Sequence, residues 1–308
     1  MDSSHFDSIA QKLVAGDALS ELDISELSST TNLLRLGALA DDRRRRESGD
    51  RVTFVRVLEV ALDKELDSQE IPDTAGEVRI VGCPDSIDNV AQEVHRIVSL
   101  SREIPVTGFK LEDLVSLCGD EPDRFERLML SLKQSGLACV SEVSVDSDID
   151  VTWIERCVGA GVPINCAVIQ DTFLPADAVA NRTKGWNHNY GIQAFSPLPR
   201  KLRLEPTTGY KDVHRVALAR VLVDNIPSIQ IDWRLYGPKL AQVALAFGAN
   251  DIDRVSPFDT LEHGRRRGPL EEIKRNIRAA SLEPVQRNCR FEIASVNPLA
   301  TNSIRERR

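Results

Sequence analysis

Apolar positions recur at helical spacing from Phe6 to Val14 and again from Leu33 to Arg46, with Ser and Asp residues ahead of the first as N-caps. The chain then changes period. Val52, Phe54, Val55, Val57 and Leu58 form a β-branched and aromatic run that predicts a buried strand over 52–60. Further strand-like runs follow at 78–83, 106–110, 137–143, 163–169, 192–198 and 228–233. Helix-like stretches separate them at 88–101, 122–135, 148–159, 211–224 and 236–247. Strands alternating with amphipathic helices require right-handed crossovers and a parallel sheet, so the class is α/β. Seven strand runs with a short eighth at 251–255 predict a (β/α) TIM-like barrel preceded by N-terminal helices.

The same pattern divides the chain. Residues 1–48 are expected as an N-terminal helical segment packed on the barrel, 49–292 as the (β/α) barrel and 293–308 as a flexible tail. The stretch DDRRRRESGD at 41–50 reads as the end of one helix and the lead into the first strand. At 308 residues the core needs no disulfide staples. Six cysteines with no CxxC pair read as reduced thiols of a cytoplasmic protein. A net charge of −8 argues against a general grip on nucleic acid or an anionic membrane. No apolar run approaches the roughly 20 residues of a membrane helix.

Candidate chemistry is sparse. The histidines His5, His95, His188, His214 and His263 show no HxH or HxxxH pairing, so no metal site is expected from protein ligands. There is no GxxxxGKS or GxGxxG, and GAGVP at 159–163 reads as a helix C-cap. Ser196 lies at a strand end without a GxSxG elbow. Arg43 to Arg46 suit the negative end of a helix dipole, with an anion or partner contact as the alternative. Arg265, Arg266 and Arg267, in a glycine-bounded loop, are weaker candidates for anion binding.

The densest polar group lies near the late strands. Gln193, Asp232, Trp233, Asp251 and Asp253 are expected to converge on the barrel rim as ligand-binding residues, if Asp251 and Asp253 do not merely cap the following turn.

The string HRVALARVLVDNIPSIQIDWRLYGPKLAQVALAFGANDID at 214–253, with VRIVGCP, GIQAFSPLP and EPVQRNCRF, resembles the radical S-adenosylmethionine enzymes of futalosine-dependent menaquinone biosynthesis. These are aminofutalosine synthase and dehypoxanthine futalosine cyclase, with the deazaflavin-forming FO synthases as relatives. The resemblance runs over roughly residues 8 to 292 and implies a barrel of the radical S-adenosylmethionine type. It also implies a CxxxCxxC loop after the first strand, whose thiolates would hold a [4Fe–4S] cluster. Here LEVALDKELDSQEIPDTAGEVRIVG follows instead, and no cysteine stands between Phe54 and Gly82. Gly82-Cys83-Pro84 replaces a Gly-Gly pair, VSEVSVDSD replaces a glycine-rich segment, AVIQDTF replaces a Gly-His-Glu-like stretch, and Arg254-Val255 stands where Gly-Thr is usual.

These joint departures imply a cluster-less paralogue with no cofactor of its own and no assigned catalytic residue. It would be a ligand-binding or partner-subunit scaffold linked to menaquinone biosynthesis. Its ligand would be small and aromatic or nucleoside-like, and its partner an active radical S-adenosylmethionine homologue. The alternative is an active synthase-like or cyclase-like enzyme that recruits Cys83, Cys139 or Cys166 in an unorthodox site. Only that alternative requires the cluster and S-adenosylmethionine.

Overall fold

The computed structural model describes residues 3–62, 64–171, 174–186, 190–201, 208–260 and 268–293. Three helices come first: α1 (Ser3–Ala15), α2 (Glu21–Ser29) and α3 (Leu33–Ser48). Helix α2 escaped the periodicity reading, yet its start is a capping box. The Ser20 hydroxyl accepts from the Asp23 amide, and the Asp23 carboxylate accepts from the Ser20 amide. The Arg43–Arg46 run is structural. Arg44 is fully buried on Asp41 and the Gly49 carbonyl, Arg43 reaches Glu47 and the Val221 carbonyl, and Arg46 pairs with Asp42.

The barrel strands are β1 (Arg51–Ala61), β2 (Glu77–Val81), β3 (Val106–Lys110), β4 (Leu137–Ser144), β5 (Ile164–Ile169), β6 (Ala194–Pro199), β7 (Ser228–Asp232) and β8 (Asp251–Val255). All pair in parallel, and β1 closes the ring against both β8 and β2. The helices between them are α4 (Ile87–Leu100), α5 (Leu111–Leu117), α6 (Pro122–Gln134), α7 (Val151–Gly159), α8 (Ala176–Lys184), α9 (Gly209–Leu222), α10 (Trp233–Leu245) and α11 (Pro269–Ala279). In α10 the chain kinks at Gly237, whose φ of 73° puts it in the left-handed region, and Pro238 restarts the helix. Among the described residues no helix is long and apolar enough to cross a membrane.

Strand alternation separates an apolar shell from a polar lumen. Val52 and Phe54, Ile229 and Ile231, and Ile252 join the large core beneath the helices. The intervening Thr53, Gln230, Asp232, Asp251 and Asp253 bond to one another or to arginines inside the ring.

A ninth strand, β9 (Glu283–Arg287), was not anticipated, because EPVQR has no apolar run. It pairs in parallel with Arg51–Val55 of β1, while Val57–Ala61 of the same strand pairs with β2. At 11 residues, β1 is long enough to take two partners in series along one edge. The junction is tight. The Gly76 amide donates to the Arg56 carbonyl, and a Cβ on Gly76 would stand 2.6 Å from the Arg287 carbonyl oxygen. Gly76→Ala therefore has to push two backbones apart. It is expected to lower the urea midpoint by the equivalent of about 1–3 kcal/mol, with little change in slope.

Candidate functional site

Sequence reasoning sought the site at the C-terminal ends of the barrel strands, and the lumen beneath that rim holds an ion-pair lattice. Its centre is Arg79 on β2. The Arg79 guanidinium donates to both oxygens of Asp253 at 2.9 Å, and its Nε donates to Glu77 Oε1 at 2.6 Å. Arg200, directly after β6, donates to Asp232 Oδ2 at 2.6 Å and stands 3.4 Å from Glu142 and 3.6 Å from Asp253. Arg254 spans Asp232 at 3.0 Å and Glu59 at 2.9 Å. The Gln170 amide donates to Glu142, and the Lys110 ammonium donates to the Gln170 carbonyl oxygen.

The electrostatics follow from this pairing. Burial opposes ionisation of Asp253 and Glu142, but the guanidinium of Arg79 on Asp253 and that of Arg200 on Glu142 outweigh it, so both carboxyls are held below their usual range. The carboxylates in turn hold Arg79 and Arg200 charged despite burial.

A second tier lies below. Asp251 accepts two hydrogen bonds from Arg287, at 2.7 and 2.6 Å, and one each from the Thr53 hydroxyl and the Gln230 amide. Phe291 closes this end, with the Arg287 guanidinium 3.7 Å from its ring centroid and Cys166, Val168 and Ala194 against it.

The five expected ligand residues do not converge on one rim. Asp232 and Asp253 share the upper tier, whereas Asp251 begins β8 and belongs to the lower one. Gln193 precedes β6 and lines a cavity of about 610 Å³ at the opposite, N-terminal mouth, with Thr53, Ser228, Asn250 and Phe291. Register explains this split: residues at the first and last positions of short parallel strands point to opposite mouths. Trp233 opens α10, and its side chain is buried in the apolar shell. Asp232 also caps that helix, accepting from the Leu235 amide. Arg265, Arg266 and Arg267 lie outside the described residues. The functional-looking residues that sequence reading missed are Arg79, Arg200, Arg254 and Arg287 with Glu77 and Glu142. For Glu77 and Arg79 the signal was charge within a short apolar strand, EVRIV, whereas Arg200 stands after its strand and Arg287 ends one without an apolar run.

Arg254 carries a backbone trace of its own. Its φ is 58°, in the left-handed region that favours glycine, at the position where the resemblance leads one to expect Gly-Thr. The backbone keeps the glycine-type geometry while the side chain reaches back to Asp232 and Glu59.

The cysteines are dispersed. Cys83 is exposed just after β2, at the C-terminal mouth. Cys118 and Cys157 are buried against the helix layer. Cys166 donates to Gln230 in the lumen, with its thiol pushed up to about 12 by burial, and Cys139 and Cys289 are buried as well. Among the described residues no group of three or more His, Cys, Asp or Glu side chains is arranged to hold a metal ion.

Comparison with known proteins agrees with the resemblance. The CofH/MqnC C-terminal region matches residues 197–299. A 5-amino-6-(D-ribitylamino)uracil–L-tyrosine 4-hydroxyphenyl transferase from Methanosphaerula palustris is 26% identical over 192 residues, covering 57% of this chain and 50% of that protein. An aminodeoxyfutalosine synthase from Thermus thermophilus is 43% identical over 65 residues, 20% of this chain and 18% of that one. At its widest of these, the match spans about half the length of the curated relative. Among solved structures, methylornithine synthase superposes with a TM-score of 0.64 at 13% identity, covering 90% of this chain and 97% of that one. The FeFe-hydrogenase maturase HydG from Carboxydothermus hydrogenoformans gives 0.65 at 15% identity, covering 92% and 79%. The chain thus resembles these radical S-adenosylmethionine relatives in sequence, and it has their barrel.

Proposed function

We propose that this barrel has given up radical initiation and serves as a scaffold subunit linked to menaquinone or deazaflavin-type biosynthesis, working beside an active homologue. The observation that carries the reading is the thiol count at the mouth. A [4Fe–4S] cluster needs three thiolates there, and among the described residues Cys83 is the one cysteine just past the C-terminal end of a barrel strand. The residues present do not fit the cluster, so no step is routed through it or through S-adenosylmethionine.

The filled lumen supports the same reading. Arg79, Arg200 and Arg254 saturate Glu142, Asp232 and Asp253 in the volume where a barrel enzyme would receive its ligand. A nucleoside-like ligand would have to displace buried ion pairs, at the cost of stranding charge. Contact with a partner through the outer surface asks for no such rearrangement.

Anaerobic reconstitution with iron and sulfide tests this directly. The expected result is sub-stoichiometric, adventitious iron, no electron paramagnetic resonance signal after reduction, and no cleavage of S-adenosylmethionine. One cluster per chain with reductive cleavage of S-adenosylmethionine would overturn it.

A further inference from the structure

The cavity at the N-terminal mouth serves neither tier of ion pairs. Its volume of about 610 Å³ lies within the roughly 300–1,000 Å³ of small-molecule sites, and Ile226, Val285 and Ile293 give it apolar walls. Three further lining residues, Gln193, Ser228 and Phe291, are brought together by the strand pairing. The Ser228 amide donates to the Gln193 carbonyl at 3.1 Å, Ser228 is in register with Ala194, and Phe291 packs against Ala194. Ser228 is only 8% exposed, yet its hydroxyl has no hydrogen-bond partner among the described residues. A buried hydroxyl left in that state is costly. Gln193 donates through Nε2 to the Gly191 carbonyl, which leaves its Oε1 as an acceptor.

We propose that this mouth binds a neutral, planar nitrogen heterocycle, stacked on Phe291 and bonded along one edge to Ser228 and Gln193. The Phe291 ring meets the Arg287 guanidinium on one side and lines the cavity besides, so a flat π-system is the shape that uses it best. The Ser228 hydroxyl both donates and accepts, whereas Gln193 Oε1 only accepts. The edge that matches them carries a ring acceptor beside an N–H donor. An aliphatic ligand would leave the hydroxyl unpaired.

Charge argues for a neutral ligand. Glu47, the one acid of the lining with cations against it, is committed to Arg43 and Arg220, and the exposed Arg51 and Asp224 stand at the rim with opposite signs. The buried groups on offer are therefore uncharged, and an ion placed beside them would lose hydration without gaining a counter-charge. The backbone at Phe291 fits a residue held in place for its ring. Its φ of 61° lies in the left-handed region, an unusual conformation for an aromatic residue, and its amide donates to the Asn288 carbonyl at 3.2 Å. The site is at the opposite mouth from the C-terminal strand ends, so it stands whether or not the barrel binds a cluster.

The test titrates the full chain by calorimetry with adenine, cytosine and uracil, and with benzoate as a planar anion that lacks the N–H edge. The expected result is saturable binding of at least one of the three bases, one per chain, and none of benzoate. Ser228→Ala and Gln193→Leu should each weaken that binding about threefold to tenfold. Phe291→Leu, which keeps an apolar plug but removes the ring, should weaken it about tenfold or more. Hydrogen exchange with the bound base should slow in peptides over 190–194, 226–229 and 285–293 and stay unchanged in the peptide that contains Cys83, at the other mouth. Should Phe291→Leu not fold, the other two variants and the exchange map decide the matter. No saturable binding of any of the three bases, or protection at Cys83 in place of the three segments, would overturn the site. Benzoate bound as tightly as the bases, or affinity unchanged in both Ser228→Ala and Gln193→Leu, would overturn the ligand class.

Discussion

Arg79→Met is expected to destabilise the folded chain by about 3–5 kcal/mol, because it removes one cation from two buried carboxylates at once. The methionine fills most of the volume, so the loss is electrostatic rather than a packing defect. Asp253 loses a bidentate partner and Glu77 loses its charged donor, keeping the Thr107 hydroxyl at 2.6 Å. Arg200, at 3.6 Å from Asp253, is already committed to Asp232 and Glu142. The pH profile separates this cause from simple misfit. In the parent chain Asp253 and Glu142 have depressed pKa values, so their stabilisation is fully present above the unfolded carboxyl values near 4 and is lost as pH falls through the folded ones. In Arg79→Met the stranded Asp253 takes up its proton at a higher pH, which relieves the penalty. Urea titrations between neutrality and about pH 3 should therefore show the gap between the two proteins shrinking with acid. A gap that stays constant would mean that Arg79 stabilises by shape and not by charge.

Most of the frame was legible because it rests on periodicity. The seven strand runs and the short eighth at 251–255 became β1 to β8, since apolar residues at alternate positions must face the helix layer in a closed parallel barrel. The losses have local causes. Helix α2 is nine residues with a mixed surface, and its start was encoded by Ser20 and Asp23 rather than by an apolar stripe. Strand β9 carries a proline and a glutamine, and among the described residues its strand partner is β1, with a single bridge from Arg287 to Ile293 besides, so nothing in its composition separates it from a loop.

The site was harder for a different reason. Single residues such as Asp232 and Asp251 are visible in the string as polar interruptions of strands, but the string does not say which mouth they face or what neutralises them. Asp232 ends β7 and Asp251 begins β8, so in parallel strands of five residues they occupy different tiers. Gln193 falls at the far end for the same reason. The arginines that answer these acids come from β2, from the end of β6 and from β9, at sequence distances that no spacing rule links. The composition of the stretch after β1 is different in kind: that no cysteine stands between Phe54 and Gly82 is a property of the string itself.

The lower tier makes the second large prediction, and it carries an internal control. Arg287→Met strands Asp251 against Thr53 and Gln230 with no cation, since the tier above is saturated by its own pairs, and should also cost about 3–5 kcal/mol. It removes the guanidinium from the face of Phe291 as well, which loosens the plug against Cys166, Val168 and Ala194. Replacing both partners, Arg287→Met with Asp251→Leu, leaves no unpaired charge and should recover most of the loss, because a buried ion pair rarely outperforms a well-packed apolar pair. The double-mutant cycle then gives a coupling of a few kcal/mol, larger than the about 1 kcal/mol typical of surface pairs. Denaturant midpoints of the four proteins measure it. If the double variant is as unstable as the sum of the singles, Asp251 and Arg287 act independently, and the lumen is then polar for reasons other than mutual neutralisation. If it recovers, charge balance within each tier is what lets a barrel hold this many ionised groups away from water.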